Sequence, residues 1–139
     1  MRGLDSQRLE RQAYHSERWD WPLPLPYPAA IRCQDLVFLS AHLPLGPSGQ
    51  VLSQQSLNEQ TRTVMDNTGH TLAAFDLTLN HMVKQTSFFF GRADRNDIVT
   101  NQTLRSSFYS EPAGASTGVP MPALAMEDTM VTVDTIAMT

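Results

Sequence analysis

Two stretches of this 139-residue chain beyond its N-terminal arm carry helical patterning, while the other periodic stretches read as strands. Two helices can cover one face of a sheet and no more, so the strands' second face needs another partner. The first helix is announced by Ser56-Leu-Asn-Glu59, a capping-box pattern in which the serine oxygen and the glutamate side chain satisfy orphan N–H groups reciprocally. It is expected to run to about Phe75 and to bury Val64, Met65, Thr68 and Leu72 at helical spacing, with Gly69 weakening it. The second is expected over 98–108, capped by Asp94 or Asn96.

Strands are expected over 29–32, 35–43, 81–90, 119–121 and 129–138, with a turn at 44–50 and a further edge strand near Val51. Leu36-Val-Phe-Leu39 is a continuous apolar run, which predicts a strand buried on both faces. The last strand alternates, Val131, Val133 and Thr135 on one side and Thr132, Asp134 and Ile136 on the other. The order is β-β-α-β-α-β-β, an α+β fold. Its strands are apolar enough to need cover on both faces, which predicts an oligomer in which sheets pack on each other.

Residues 1–21 read as a polar N-terminal arm, either a short frayed helix around Ser6–Ala13 or no regular structure, and residues 22–139 as one domain. The strap from Trp19 to Pro28 carries proline at every second position from Pro22, which forbids helix and favours extended geometry. Its tryptophans, Trp19 and Trp21, are expected to clamp against the domain or a neighbouring subunit.

Several function classes are set aside by composition. Net charge is −4, and the ten basic residues are scattered, so the clustered Lys and Arg of a nucleic-acid binder are missing. No apolar stretch approaches the roughly 20 residues that span a membrane. One cysteine, Cys33, permits no internal disulfide, and with no secretory signal pattern the expected compartment is the cytoplasm. His15, His42, His70 and His81 have no metal-ligand spacing, so no metal and no cofactor are expected. No GxSxG, P-loop or GxGxxG occurs. Any chemistry must then come from polar groups in a shaped pocket. His42 beside Ser40, and Asp134 or Glu127 among the carboxylates, are the groups to watch.

The segments Pro26-Tyr27-Pro-Ala29 and Asp35-Leu-Val-Phe-Leu-Ser40-Ala-His-Leu-Pro44, taken with Glu59-Gln-Thr-Arg62, Asn67, Leu79-x-x-Met-Val-Lys84, Asn101 with Phe108, and Val131-Thr-Val-Asp-Thr-Ile-Ala-Met138, resemble the RidA (YjgF-like) family in order and spacing. The resemblance covers roughly residues 22–138. It implies a chorismate-mutase-like mixed sheet with two helices on one face, a homotrimer, and small-molecule clefts between subunits. It also implies cofactor-free hydrolysis of enamines or imines to 2-oxo acids and ammonia.

Carried across residue by residue, Tyr27 and Ser40 match the family's tyrosine and serine. Ala41 and His42 stand for its glycine and glutamine, Thr117 for its cysteine and Thr132 for its glutamate, with Asp134 two residues on. The family's carboxylate-binding arginine falls on Ala115, or on Gly114 or Ser116 if the loop slips. On this alignment Asp134, Tyr27 and Thr117 are the catalytic candidates. Ser40, Ala41, His42, Ala115, Ser116 and Thr132 are the binding candidates. The stretch Ala113–Thr117 has no positive charge, so carboxylate ligands are expected to bind weakly and the substrate to be non-standard. The alternative is a non-catalytic binding or interaction module on the same trimer.

Overall fold

In the computed structural model, residues 10–19, 25–91 and 95–139 are described. The strands are β1 (Arg11–Tyr14), β2 (Ala30–Cys33), β3 (Leu36–His42), β4 (Met82–Phe90), β5 (Ala115–Met121) and β6 (Val131–Met138); the helices are α1 (Leu57–Ala73) and α2 (Arg95–Ser106). The six strands form one sheet in the order β1-β2-β3-β6-β4-β5. All neighbours are antiparallel except β4 and β5.

Topology explains why both helices lie on one face. Strands β3 and β4 flank β6 antiparallel, so they run parallel to each other, as β4 and β5 do. The crossovers β3-α1-β4 and β4-α2-β5 therefore step the same way across the sheet. Two right-handed crossovers in one direction deposit their helices on the same side. Asn101 Nδ2 on α2 donates to Thr61 Oγ1 on α1 at 2.7 Å and locks the pair.

Helix α1 begins where the capping pattern indicates, with the Ser56 side chain accepting from Glu59 N at 3.2 Å. Val64, Met65, Thr68 and Leu72 are buried as its periodicity predicts. Leu72 packs with Val37, Leu39, Met82 and Ala137 of the sheet, and Val64 with Phe89, Val131 and Val133. Gln60 ties the domain's far end together: its amide nitrogen donates to Leu52 O and Asp128 O at 3.1 and 2.8 Å, and its oxygen accepts from Met130 N at 2.7 Å.

Three expectations need correction. Arg11–Tyr14 is a strand paired with β2, so these residues form an edge of the sheet rather than a helix, because their backbone meets the unpaired edge of β2; residues 6–9 of the expected helix lie outside the described residues. Leu36–Leu39 is not covered on both faces of the chain: Val37 and Leu39 are buried, whereas Phe38 is 39% exposed. Val51 forms only an isolated bridge with Leu45 rather than an edge strand. The expected cap Asp94 and the strap residue Trp21 lie outside the described residues. Trp19 is buried beside Ala29 and Leu45.

Candidate functional site

The sheet face away from the helices is open. Alternation along β6 sends Thr132, Asp134, Ile136 and Met138 toward it, opposite the buried Val131, Val133, Thr135 and Ala137. Pairing then sets their neighbours. Asp134 lies across from Thr86, and Thr86 from Thr117, in a row over β6, β4 and β5. A second row runs Ile31, Phe38, Ile136, Lys84, Ala115. One face thus carries a polar strip beside an apolar one, with Phe38 and Met138 39% and 50% exposed.

Lys84 is the residue the sequence reading missed. It stands directly opposite Ala115, and its Nζ donates to Thr117 Oγ1 at 2.5 Å. The stretch Ala113–Thr117 itself carries no positive charge, and Lys84, 31 positions before Ala115, brings one to its side. A lysine as the one charged residue of a strand that reads Met-Val-Lys-Gln-Thr-Ser-Phe-Phe-Phe was the available signal. Its partner could not be read, because the parallel register of β4 and β5 is set by a crossover and not by local pattern.

Asp134 is half-buried, and among the described residues neither it nor Lys84 forms an ion pair; the ion pairs are Arg18–Asp66 and Arg62–Glu59. A carboxylate at one end of the polar row and an ammonium reaching its other end from the neighbouring row thus share one face, with the Thr86 and Thr117 hydroxyls between them. Asp134 and Thr117 are two strand spacings apart, about 10 Å. That is room for a small molecule between them, and too far for direct contact.

The other candidates divide. Tyr27, 67% exposed, lines an apolar groove of about 280 Å³ with Ile31, Phe38 and Ser40 on the same open side. Ser40 Oγ donates to Pro28 O at 2.8 Å and pins the strap to β3. Ala41 is exposed in the irregular stretch between Leu39 and His42, beside Asp134. Thr132 shares the face but is buried next to Phe88.

Two candidates do not join them. Ser116 alternates to the helix side, across from the buried Gln85. His42 is only 2% exposed and packs edge-on against Trp19 with centroids 5.5 Å apart. A bulge between Leu39 and His42 is the reason: strict alternation would put His42 on the face of Ser40, and one extra residue turns it into the core. Its Nδ1 lies 2.7 Å from Ser40 O, so Nδ1 carries the hydrogen, and Nε2 accepts from Thr71 Oγ1 at 2.7 Å. Burial lowers its pKa to about 4 despite the bond to Ser40. At neutral pH His42 is an uncharged core residue.

Among the described residues, no cluster of three or more His, Cys, Asp or Glu could hold a metal ion, and no helix is long and apolar enough to cross a membrane. Glu127 is exposed at the rim of a different concavity.

A six-stranded mixed sheet with two helices on one face defines a class of small α+β domains. Residues 23–139 match the family described as endoribonuclease L-PSP, and the chain belongs to that family, the one that includes the RidA and RutC proteins. It is 26% identical over 117 residues to a RutC family protein of Pyrococcus horikoshii, covering 84% of this chain and 90% of that one. It is 31% identical over 99 residues to the chloroplastic Reactive Intermediate Deaminase A of Arabidopsis thaliana, covering 71% of this chain and 51% of that protein. Among solved structures, E. coli TdcF with bound serine superposes with a TM-score of 0.77 at 20% identity, over 92% of this chain and 98% of that one. RidA from a Psychrobacter species superposes with a TM-score of 0.79 at 20% identity, over 92% and 99%. At such identities the structural likeness establishes the fold.

Proposed function

We propose that this chain hydrolyses a small 2-imino or 2-enamino acid on the open sheet face, inside a homotrimer whose neighbouring subunit covers that face. The observation that carries the reading is Asp134 in a row with Thr86 and Thr117, and Lys84 of the neighbouring row reaching the Thr117 hydroxyl, neither Asp134 nor Lys84 being in an ion pair among the described residues. The relative named as a Reactive Intermediate Deaminase A supports the reaction class. Exposed Tyr27 and Phe38, which line one apolar groove, and exposed Met138 support a covering subunit, since exposed apolar patches mark interaction surfaces.

In this reading Lys84 binds the substrate carboxylate in place of the arginine that Ala115 lacks. Asp134 accepts a proton from the attacking water. An enamine first tautomerises to the imine by moving a proton from nitrogen to its β-carbon. Water then adds to the imine carbon, both of its protons pass to the nitrogen, one of them by way of Asp134, and the C–N bond breaks to release ammonia and leave a 2-oxo acid. Lys84 can only donate, so the Thr117 oxygen accepts from it and its own hydrogen is free for the leaving nitrogen.

The test is release of ammonia and 2-oxo acid from a freshly generated 2-imino acid. Asp134→Asn should lower kcat by about a hundredfold or more. Lys84→Met should mainly raise KM. Wild-type turnover in both variants refutes the assignment, and a stable monomer in light scattering refutes the trimer. The alternative, a ligand-binding module without turnover, draws on Thr132, which stands where the resemblance puts a glutamate. It would be recognised by a co-purifying small molecule that the protein never converts.

A further inference from the structure

Arg105 is a cation in the wrong place for a surface residue. It lies on α2, is 4% exposed, and among the described residues meets no carboxylate within ion-pair distance. Its Nη1 donates to Ser87 Oγ, its guanidinium carbon lies 5.5 Å from the centre of the Phe89 ring, and its Nε has no hydrogen-bond partner. A hydroxyl and a ring face do not neutralise a buried positive charge, and an uncompensated one is costly.

Beside it is a cavity of about 190 Å³ between α2, β4 and β5, on the helix side of the sheet. Gln85, Tyr109, Ser116 and Gly114 line it, and the exposed Ser106 stands at its mouth. Tyr109 donates to Gln85 Oε1 at 2.9 Å, so the group Gln85 has left is its amide N–H donor. Gly114 is required at the cavity's edge: a Cβ there would sit 2.7 Å from Met82 O, so only glycine lets the chain pass this close to β4. The walls therefore combine one unpaired cation with neutral donors and hydroxyls. No anionic group is among the lining residues.

We infer that this cavity is a binding site for a small monocarboxylate, with Arg105 as its counter-ion, separate from the open-face strip on the other side of β5. A single positive charge with neutral donors is balanced by one negative charge, and a guanidinium matches a planar carboxylate better than a lone ammonium does. The inference does not depend on the reaction proposed above. It needs only that a buried cation with a cavity beside it be neutralised by something that fits.

Propionate, titrated calorimetrically, is the probe. Wild type should bind it saturably. Ser106→Trp, which fills the mouth from an exposed position, should weaken binding by about tenfold or more, and so should Arg105→Met if it folds. Lys84→Met should remove only the binding that belongs to the open-face strip and leave a saturable component that Ser106→Trp weakens. Equal affinity in wild type and Ser106→Trp, or no saturable binding up to about 10 mM, overturns the site. Complete loss of binding in Lys84→Met with full retention in Ser106→Trp places the only carboxylate site on the open face, which overturns this inference and leaves the proposed function standing. Inorganic phosphate binding more tightly than propionate overturns the carboxylate assignment.

Discussion

His42 should make the fold acid-sensitive in a window that its burial defines. In the unfolded chain its imidazole titrates near 6.5, and in the folded chain burial pushes it down to about 4. Above about pH 6.5 both states hold it neutral, and stability is at its full value. As pH falls below that, the unfolded state takes up a proton that the folded state refuses, so stability is lost until the folded group also titrates near 4. The slope approaches about 1.4 kcal/mol per pH unit, and the total over the window is about 3 kcal/mol. That is a large share of the roughly 5–15 kcal/mol that stabilises an ordinary domain.

The perturbation is His42→Gln, which removes the titrating group and keeps hydrogen-bonding capacity toward Ser40 O and Thr71 Oγ1. Carboxylates titrate in the same range, so the quantity to follow is the difference between wild type and variant. Urea unfolding at fixed protein concentration, followed by tryptophan fluorescence from about pH 7 down to about pH 4, gives it. The wild type should lose about 3 kcal/mol relative to the variant across that range. A difference that stays flat with pH would mean that His42 is solvated or already protonated in the folded state, and the account of its burial would be wrong.

Gln60→Leu should destabilise the protein by about 3–5 kcal/mol in the same urea assay, because it strips partners from Leu52 O, Asp128 O and Met130 N at once; a loss under about 1 kcal/mol would mean that water replaces all three. Ala115→Arg should restore 2-oxo-acid affinity lost in Lys84→Met by about tenfold or more, and should add little to wild type, where it would crowd a second cation beside Lys84. Calorimetry on the four combinations decides it, and an equal gain in both backgrounds refutes the role given to Lys84. Hydrolysis should survive EDTA, since no cluster of metal-ligating groups exists among the described residues; loss reversed by a divalent ion would reveal one.

What the sequence determined by itself was everything local in period. The α1 cap at Ser56, its buried stripe from Val64 to Leu72, and the two faces of β6 were legible because a side chain's direction repeats every 3.6 residues in a helix and every second residue in a strand. The motif order from Tyr27 to Met138 pointed to the family for a similar reason, since short segments keep their residues. Tertiary structure decided the rest. One extra residue between Leu39 and His42 turned an expected ligand contact into a core histidine, and alternation in β5 separated Ser116 from Thr117. The parallel pairing that brings Lys84 to Ala115 joins residues far apart in the chain, as does the packing that buries Arg105 against Ser87 and Phe89. Periodicity tells each residue which side it faces; only register and packing tell it what it meets there.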